Sequence, residues 1–141
     1  MYEKVIDYYN QSEIDYKWIW GLDRHHAIHY GYYDKEHTTH GQAVTNLNRV
    51  LAGMAHIGGS DHVLDAGCGI GGSSVWLARN LGCRVTGISV VAEQIRQAHQ
   101  LARENGVDRL ADFAVQDYNQ TTFPDESFTV VWGIESICYA E

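Results

Sequence analysis

Positive charge is scarce in this sequence. Its 141 residues include 10 lysines and arginines against 18 aspartates and glutamates, which gives a formal net charge of -8. The basic residues form no cluster along the chain, whereas nucleic-acid backbones are bound mainly through such clusters. The composition therefore argues against DNA or RNA as a partner.

Long apolar runs and paired cysteines are also missing. No apolar run reaches the roughly 20 residues that a membrane-spanning helix needs, and the N-terminus lacks the apolar core of a signal peptide. Cys68, Cys83 and Cys138 lie far apart in sequence, without zinc-site spacing or a disulfide framework. We expect a cytoplasmic protein with reduced thiols and no membrane span.

Histidine is common, but its spacing does not favour a metal. His25, His26 and His29 could place two imidazoles on one helix face. No acidic or cysteine partner follows at a fixed spacing, so the sequence predicts no metal site. With 45% hydrophobic and 20% charged residues, the chain has the composition of a globular domain.

An apolar segment that ends in glycines is the most informative feature. Residues 62–66 read as a buried strand, and four glycines follow within residues 67–72. Residues 73–82 then show helical spacing closed by a glycine. Strand, glycine turn and helix form a ligand-binding unit, because the glycines let backbone N–H groups approach a ligand and the helix N-terminus carries partial positive charge.

The spacing Gly67-x-Gly69-x-x-Gly72 formally fits a dinucleotide-binding fingerprint. Asp65, just before the turn, would however repel a pyrophosphate, whereas it could hold an ammonium. The second predicted strand, residues 84–89, ends without the acidic residue that the ribose of a nicotinamide cofactor usually meets. S-adenosylmethionine (SAM) carries a cation and has no pyrophosphate. We expect the Asp65 carboxylate to face such a ligand rather than a core partner.

Two motifs carry a family resemblance. Residues 63–72, VLDAGCGIGG, resemble the first motif of class I SAM-dependent methyltransferases. Residues 85–94, VTGISVVAEQ, resemble the second-strand motif of the branch with sterol and tocopherol C-methyltransferases and cyclopropane fatty acid synthases. Residues 29–33 and 134–140 resemble, more loosely, the tyrosine-rich lid and the stretch after the fourth strand of the sterol and tocopherol enzymes.

The resemblance implies which residues bind SAM. The glycine turn would hold the methionine end, a serine and a glutamine the ribose, an acidic and an aromatic residue the adenine, and a lid tyrosine would close over the ligand. The implied residues are Asp65, Gly67, Cys68, Gly69 and Gly71 for the methionine end, Ser89 and Gln94 for the ribose, Asp117 and Tyr118 for the adenine, and Tyr30, with Tyr32 as its alternative, for the lid. A turn or cap role for Asp117, a solvated Gln94 and plain packing for each tyrosine stay open. A ribose-binding Gln94 should tolerate replacement by glutamate.

Glu135 is the candidate catalytic residue. Methyl transfer from a sulfonium needs mostly orientation and exclusion of water, but a carbon acceptor also needs a base. A role for Glu135 as a SAM-side or structural hydrogen-bond acceptor stays open. Cys138 stands where the resemblance places a glutamate in cyclopropane synthases, which argues against cyclopropanation.

Alternating elements indicate an α/β fold with a parallel sheet. The other predicted elements are two short helices in residues 2–20, helices over 42–57 (stopped by Gly58 and Gly59) and 92–104, and strands over 111–116 and 129–134. The resemblance implies a Rossmann-like class I methyltransferase fold of strand order 3-2-1-4 with N-terminal helices. Residues 1–40 would form an aromatic-rich helical cap, and residues 41–141 the N-terminal part of the SAM-binding domain.

The family fold continues with further strands, so we expect an incomplete sheet belonging to a longer protein. Its fourth strand would be an exposed edge through which copies could pair. The predicted function is a SAM-dependent methyltransferase acting on a small-molecule acceptor by C-, O- or N-methylation. A SAM-binding module without catalytic activity is the alternative, and an NAD-dependent oxidoreductase ranks third.

Overall fold

The computed structural model of the protein describes residues 29–139. The short helices predicted within residues 2–20, along with His25 and His26, lie outside these residues. The described elements, in chain order, are α1 His40–Met54, β1 His62–Ala66, α2 Gly72–Leu81, β2 Arg84–Ser89, α3 Ala92–Glu104, β3 Ala111–Val115 and β4 Val130–Trp132, followed by a 3-10 turn at Ile137–Tyr139.

All four strands are parallel, in the order β3-β2-β1-β4. The predicted Rossmann-like order is therefore confirmed. Asp65 lies opposite Gly87 of β2 and Trp132 of β4 in the register. The carboxyl ends of these three strands consequently meet at one edge of the sheet, where open α/β sheets bind ligands.

One face of the sheet packs against the helices that the structure describes. Val63, Val85 and Ala111 are register-related residues on this face, and each is at most 2% exposed. Helix α2 contacts β2, helix α3 contacts β2 and β3, and α1 packs against α2. The glycine turn before α2 is thus held between the sheet and a helical layer.

Helix α1 starts at a capping box formed by Thr39 and ends earlier than predicted. His56 adopts the left-handed conformation (φ 54), and the N–H groups of His56 and Ile57 donate to carbonyls in the last helical turn. This is a Schellman ending, stabilised by burial of Ile57. The predicted glycine stop was wrong, because a histidine occupies the position where glycine is usual.

Strand β4 is shorter than the predicted 129–134. After Trp132 the chain leaves the sheet, and the Ser136 hydroxyl folds back to donate to the Ala66 carbonyl at the end of β1. Glu135 adopts a left-handed conformation (φ 53) within this bend.

No helix among the described residues is both long and apolar enough to cross a bilayer.

Candidate functional site

The glycine turn between β1 and α2 is tightly packed. Gly67 and Gly71 have positive φ values of 87° and 86°. A Cβ on Gly67 would collide with Ser136, and one on Gly71 would lie 2.8 Å from the Ala98 Cβ of α3. These two glycines therefore let the turn fit between α3 and the segment after β4.

Several amides of this turn already have protein partners. The N–H groups of Gly67 and Cys68 both donate to the Ile88 carbonyl of β2 at 2.9 Å, and that of Gly71 donates to the Cys68 carbonyl. These three amides are therefore already hydrogen-bonded within the protein. Gly69 also has a positive φ of 54°, and its N–H has no hydrogen bond within residues 29–139.

The N-terminus of α2 remains open within the described structure. Its first helical hydrogen bond runs from the Val75 N–H to the Gly71 carbonyl, so the three preceding amides have no helical acceptor. No side chain of the described residues caps this end. A helix N-terminus of this kind attracts an anion such as a carboxylate.

Asp65 is a buried carboxylate at the end of β1. It is 3% exposed, and the Ser74 hydroxyl of α2 donates to it at 2.6 Å. Burial raises the pKa of Asp65 to about 6, with the Ser74 hydrogen bond opposing the shift. No lysine, arginine or histidine of residues 29–139 forms an ion pair with it. Asp65 thus has the core partner that we did not expect, yet it has no ion-pair partner within the described part of the chain.

Cys68 follows Asp65 in the same turn and is also buried. Burial and the nearby Asp65 charge raise the pKa of its thiol well above the ordinary value. A protonated, buried thiol is a poor nucleophile. Cys68 can therefore contribute to the site through its backbone and its packing.

Ser89 and Gln94, the predicted ribose pair, are in direct contact. Ser89 ends β2 and is 7% exposed. Its hydroxyl donates to Gln94 Oε1 at 2.8 Å and accepts from the Val91 N–H at 3.1 Å. The turn between β2 and α3 brings the two side chains together at the carboxyl edge.

Asp117 and Tyr118 follow β3, and both are half-buried. One Asp117 carboxylate oxygen accepts from the Asn119 N–H at 2.9 Å, which is the local turn role left open in the sequence analysis. The Tyr118 hydroxyl donates to the Ser136 carbonyl at 3.0 Å. Tyr118 therefore ties the loop after β3 to the segment after β4.

Tyr30 and Glu135 meet across 105 residues of sequence. The Tyr30 N–H donates to Glu135 Oε1 at 3.1 Å, while the Tyr30 side chain is 65% exposed. Glu135 thus serves as a structural acceptor for the tyrosine-rich turn, which was one of its open roles. Tyr32, the alternative lid residue, is 50% exposed.

Sequence reasoning missed a buried polar cluster at the first turn of α2. The Ser73 hydroxyl donates to Asn48 Oδ1 at 2.9 Å and lies 3.5 Å from His29 Nε2. Asn48 and His29 are 3% and 6% exposed. The two serines directly after the glycines are the signal that could have drawn attention to this helix start.

The carboxyl edge therefore combines complementary groups. Among the described residues, the uncapped N-terminus of α2 suits an anion, the Asp65 carboxylate, which has no ion-pair partner there, suits a cation, and the Ser89–Gln94 pair offers a neutral polar surface. The ammonium and carboxylate groups of an amino acid, which are both attached to its α-carbon, supply these two charges. No group of metal-ligating side chains occurs within the described part of the chain.

Known proteins resemble this chain over most of its length. The profile described as "Methyltransferase domain" matches residues 63–141. A 27-O-demethylrifamycin SV methyltransferase of Amycolatopsis mediterranei is 38% identical over 119 residues, covering 84% of this chain and 42% of the relative. A 2-methyl-6-phytyl-1,4-hydroquinone methyltransferase of Synechocystis is 37% identical over 142 residues, covering 95% and 42%.

A solved structure of a methyltransferase also resembles this chain. Geranyl diphosphate C-methyltransferase from Streptomyces coelicolor, crystallised with Mg2+, geranyl diphosphate and S-adenosyl-L-homocysteine, superposes with a TM-score of 0.72 at 28% identity. The match covers 86% of this chain and 50% of that enzyme. The chain therefore spans half, or less than half, of the length of these relatives.

Proposed function

Since the chain belongs to the methyltransferase-domain family and has the class I fold, we propose that it supplies the SAM-binding part of a methyltransferase for small molecules. The observation that carries the proposal is Asp65, a buried carboxylate that has no ion-pair partner within residues 29–139 and lies near the N-terminus of α2, which no described side chain caps. An amino-acid ligand end supplies the missing cation and an anion at once. The S-adenosyl-L-homocysteine bound by the geranyl diphosphate enzyme has such an end.

The proposed binding mode follows the carboxyl edge of the sheet. The ligand ammonium faces Asp65 and its carboxylate faces the first turn of α2, with Gly67, Cys68, Gly69 and Gly71 shaping the turn between them. The ribose lies at Ser89 and Gln94, and the adenine lies near Asp117 and Tyr118. Tyr30, anchored through its backbone by Glu135, borders the ligand.

The proposed chemistry is transfer of the sulfonium methyl group to an acceptor held in line with it. The protein orients both partners and excludes water. For a carbon acceptor, Glu135 is the proposed base: Oε1 accepts from the Tyr30 N–H, which leaves the other carboxylate oxygen to take a proton. Oxygen and nitrogen acceptors need less of this help. The names of the two relatives, a 27-O-demethylrifamycin SV methyltransferase and a 2-methyl-6-phytyl-1,4-hydroquinone methyltransferase, support a small organic acceptor.

Two further points belong to the proposal. Val131 of β4 is 69% exposed, which supports pairing of copies through that edge of the sheet. Analytical ultracentrifugation of wild type and a Val131→Lys variant tests this pairing. A cytoplasmic location is likewise proposed, and fractionation of the native host tests it.

Calorimetric titration of the chain with SAM, S-adenosylhomocysteine and NAD tests the cofactor assignment. We expect saturable binding of the first two and none of NAD. Binding of NAD alone, or no SAM binding by the folded chain, would refute the assignment. An assay of methyl transfer by the full-length protein to candidate acceptors, with the products detected by mass spectrometry, distinguishes an enzyme from a SAM-binding module.

A further inference from the structure

His29 joins the buried polar cluster at the first turn of α2 to the tyrosine-rich turn. Its Nδ1 atom lies 2.8 Å from the Tyr30 carbonyl oxygen. A carbonyl oxygen only accepts hydrogen bonds, so Nδ1 carries a hydrogen in this contact. The second ring nitrogen, Nε2, lies 3.5 Å from the Ser73 hydroxyl oxygen. The imidazole is thus held between the two segments, and only 6% of the residue is exposed.

A neutral imidazole leaves one contact of this cluster without a hydrogen. It has a single N–H, and in His29 that hydrogen is on Nδ1. The one hydrogen of the Ser73 hydroxyl goes to Asn48 Oδ1 at 2.9 Å. Lone pairs therefore face each other between His29 Nε2 and the Ser73 oxygen. A second proton, on Nε2, would turn this contact into a hydrogen bond donated by His29.

The charge at the start of α2 decides when that second proton is favourable. Ser73 is the second residue of the helix and lies beside its uncapped amides. The partial positive charge of a helix start disfavours a cation next to it, whereas an anion bound there favours one. Imidazole is the side chain that takes up a proton most readily near neutral pH. An anion at this helix start therefore favours the doubly protonated ring.

The charged groups on the neighbouring segments have partners of their own. Asp65 accepts from the Ser74 hydroxyl, Glu135 accepts from a backbone N–H of the tyrosine-rich turn, and Arg49 of α1 donates to a neighbouring asparagine. Within residues 29–139, the His29 ring forms no hydrogen bond or ion pair with a charged side chain. The charge that changes beside the cluster on binding is therefore that of the ligand.

We propose that His29 takes up a proton when the ligand carboxylate binds at the first turn of α2, and that the imidazolium then positions Ser73 and balances the carboxylate charge. The inference rests on the proposed function for the identity of that anion, the carboxylate of the amino-acid end of SAM. The proton comes from solution and returns to it when the ligand leaves. His29 is thus a positioning residue that couples cofactor binding to pH.

Calorimetric titration with S-adenosylhomocysteine at pH 7.5, in HEPES and in Tris, measures this proton. The two buffers differ in ionisation enthalpy, so the difference between the observed binding enthalpies gives the protons taken up. We expect more uptake by wild type than by His29→Gln, whose amide does not titrate. Asp65, with a pKa of about 6, is ionised at this pH and supplies no uptake. The affinity of wild type relative to His29→Gln should fall by up to about tenfold between pH 7 and pH 8.

A matched ligand and a matched variant serve as controls. The ligand 5′-methylthioadenosine has the adenosine and the sulfur but no carboxylate, so its binding should show no uptake that depends on His29. His62, at the opposite end of β1 from Asp65, bonds to the Thr86 hydroxyl at 2.9 Å, and His62→Gln should keep the wild-type uptake with S-adenosylhomocysteine. Equal uptake in wild type and His29→Gln, or the same His29-dependent uptake with both ligands, overturns the proposal.

Nitrogen NMR of the histidine rings gives a readout that needs no variant at position 29. At pH 7.5, His29 should show one protonated ring nitrogen without ligand and two with saturating S-adenosylhomocysteine. A ring pattern that the bound ligand leaves unchanged overturns the proposal while the cofactor assignment stands. A folded wild type that binds neither SAM nor S-adenosylhomocysteine refutes the cofactor assignment and, with it, the carboxylate that drives the proton uptake.

Discussion

Replacing Asp65 by asparagine should stabilise the ligand-free protein at neutral pH and weaken cofactor binding. Asparagine has nearly the same shape, and its Oδ1 can still accept from the Ser74 hydroxyl that now donates to Asp65. The substitution removes only the buried charge. The two opposite effects follow because the same carboxylate burdens the fold and attracts the ligand cation.

The magnitude follows from the shifted pKa of Asp65. The value rises from 3.8 to about 6 in the fold, a shift of about two units, which corresponds to roughly 3 kcal/mol. Because the folded pKa is the higher one, the stabilising contribution of protonated Asp65 is complete below pH 3.8 and is lost as the pH rises to about 6. Above that pH, wild type carries the full cost of the buried charge.

Urea denaturation of both proteins between pH 4 and pH 8 measures the effect. We expect equal free energies of unfolding near pH 4 and an advantage for Asp65→Asn of up to about 3 kcal/mol at pH 8. Its affinity for SAM at pH 8 should fall by roughly ten- to a hundredfold, the loss of one charge-assisted contact. Equal stability at pH 8 would refute the reasoning about burial, and unchanged affinity would remove Asp65 from the site.

Asp61 is a natural control for this experiment. Its carboxylate accepts from the Gly58 N–H and the Thr129 hydroxyl, and these hydrogen bonds lower its pKa. A lowered pKa gives the opposite pH dependence of stability. Ionised Asp61 stabilises the fold above its unfolded-state pKa, and this contribution is lost as the pH falls. Asp61→Asn should therefore be less stable than wild type at pH 8 and should bind SAM normally.

Three further predictions concern other parts of the fold. Glu135→Gln keeps an acceptor for the Tyr30 N–H, so it should bind S-adenosylhomocysteine as wild type does, while losing turnover on a carbon acceptor in the full-length protein. Glu135→Ala should lose both the binding and the turnover. Full turnover in Glu135→Gln would exclude Glu135 as the catalytic base. Gly71→Ala should lower the free energy of unfolding by about 2–4 kcal/mol, because the backbone there has a positive φ and the added Cβ would collide with α3. Gly106→Ala, with open space around its Cβ, should lower it by only about 1 kcal/mol. Equal losses for the two variants in urea denaturation would contradict the packing argument. His56→Gly should raise the melting temperature, because glycine relieves about 1 kcal/mol of left-handed strain at the end of α1, and a lower melting temperature would count against it.

Local patterns carried most of the fold. The strands and the glycine turn follow from apolar periods and spacing that span a few residues, whereas the strand order 3-2-1-4 was implied by the family resemblance. Ser89 and Gln94 are close enough in sequence for one turn to join them. The end of α1 was missed because His56 takes a conformation that histidine seldom adopts. The Tyr30–Glu135 contact joins residues 105 positions apart, and no local pattern encodes such a pairing.

The Ser74–Asp65 hydrogen bond shows the same limit within a short segment. Helical spacing placed Ser74 in the first turn of α2, but not the side chain that its hydroxyl would meet. The amides of Gly67 and Cys68 are a second case: their shared acceptor, the Ile88 carbonyl, belongs to the neighbouring strand. Sequence alone identified the residues of the turn, whereas the partners of those residues depended on tertiary packing.

A crystal structure of the chain with S-adenosylhomocysteine tests the central claim most directly. The ligand ammonium should lie within hydrogen-bonding distance of Asp65, with the ligand carboxylate at the first-turn amides of α2 and the ribose beside Gln94. Density for the ligand away from the glycine turn, or in the turn with the amino-acid end pointing away from Asp65, would contradict the account.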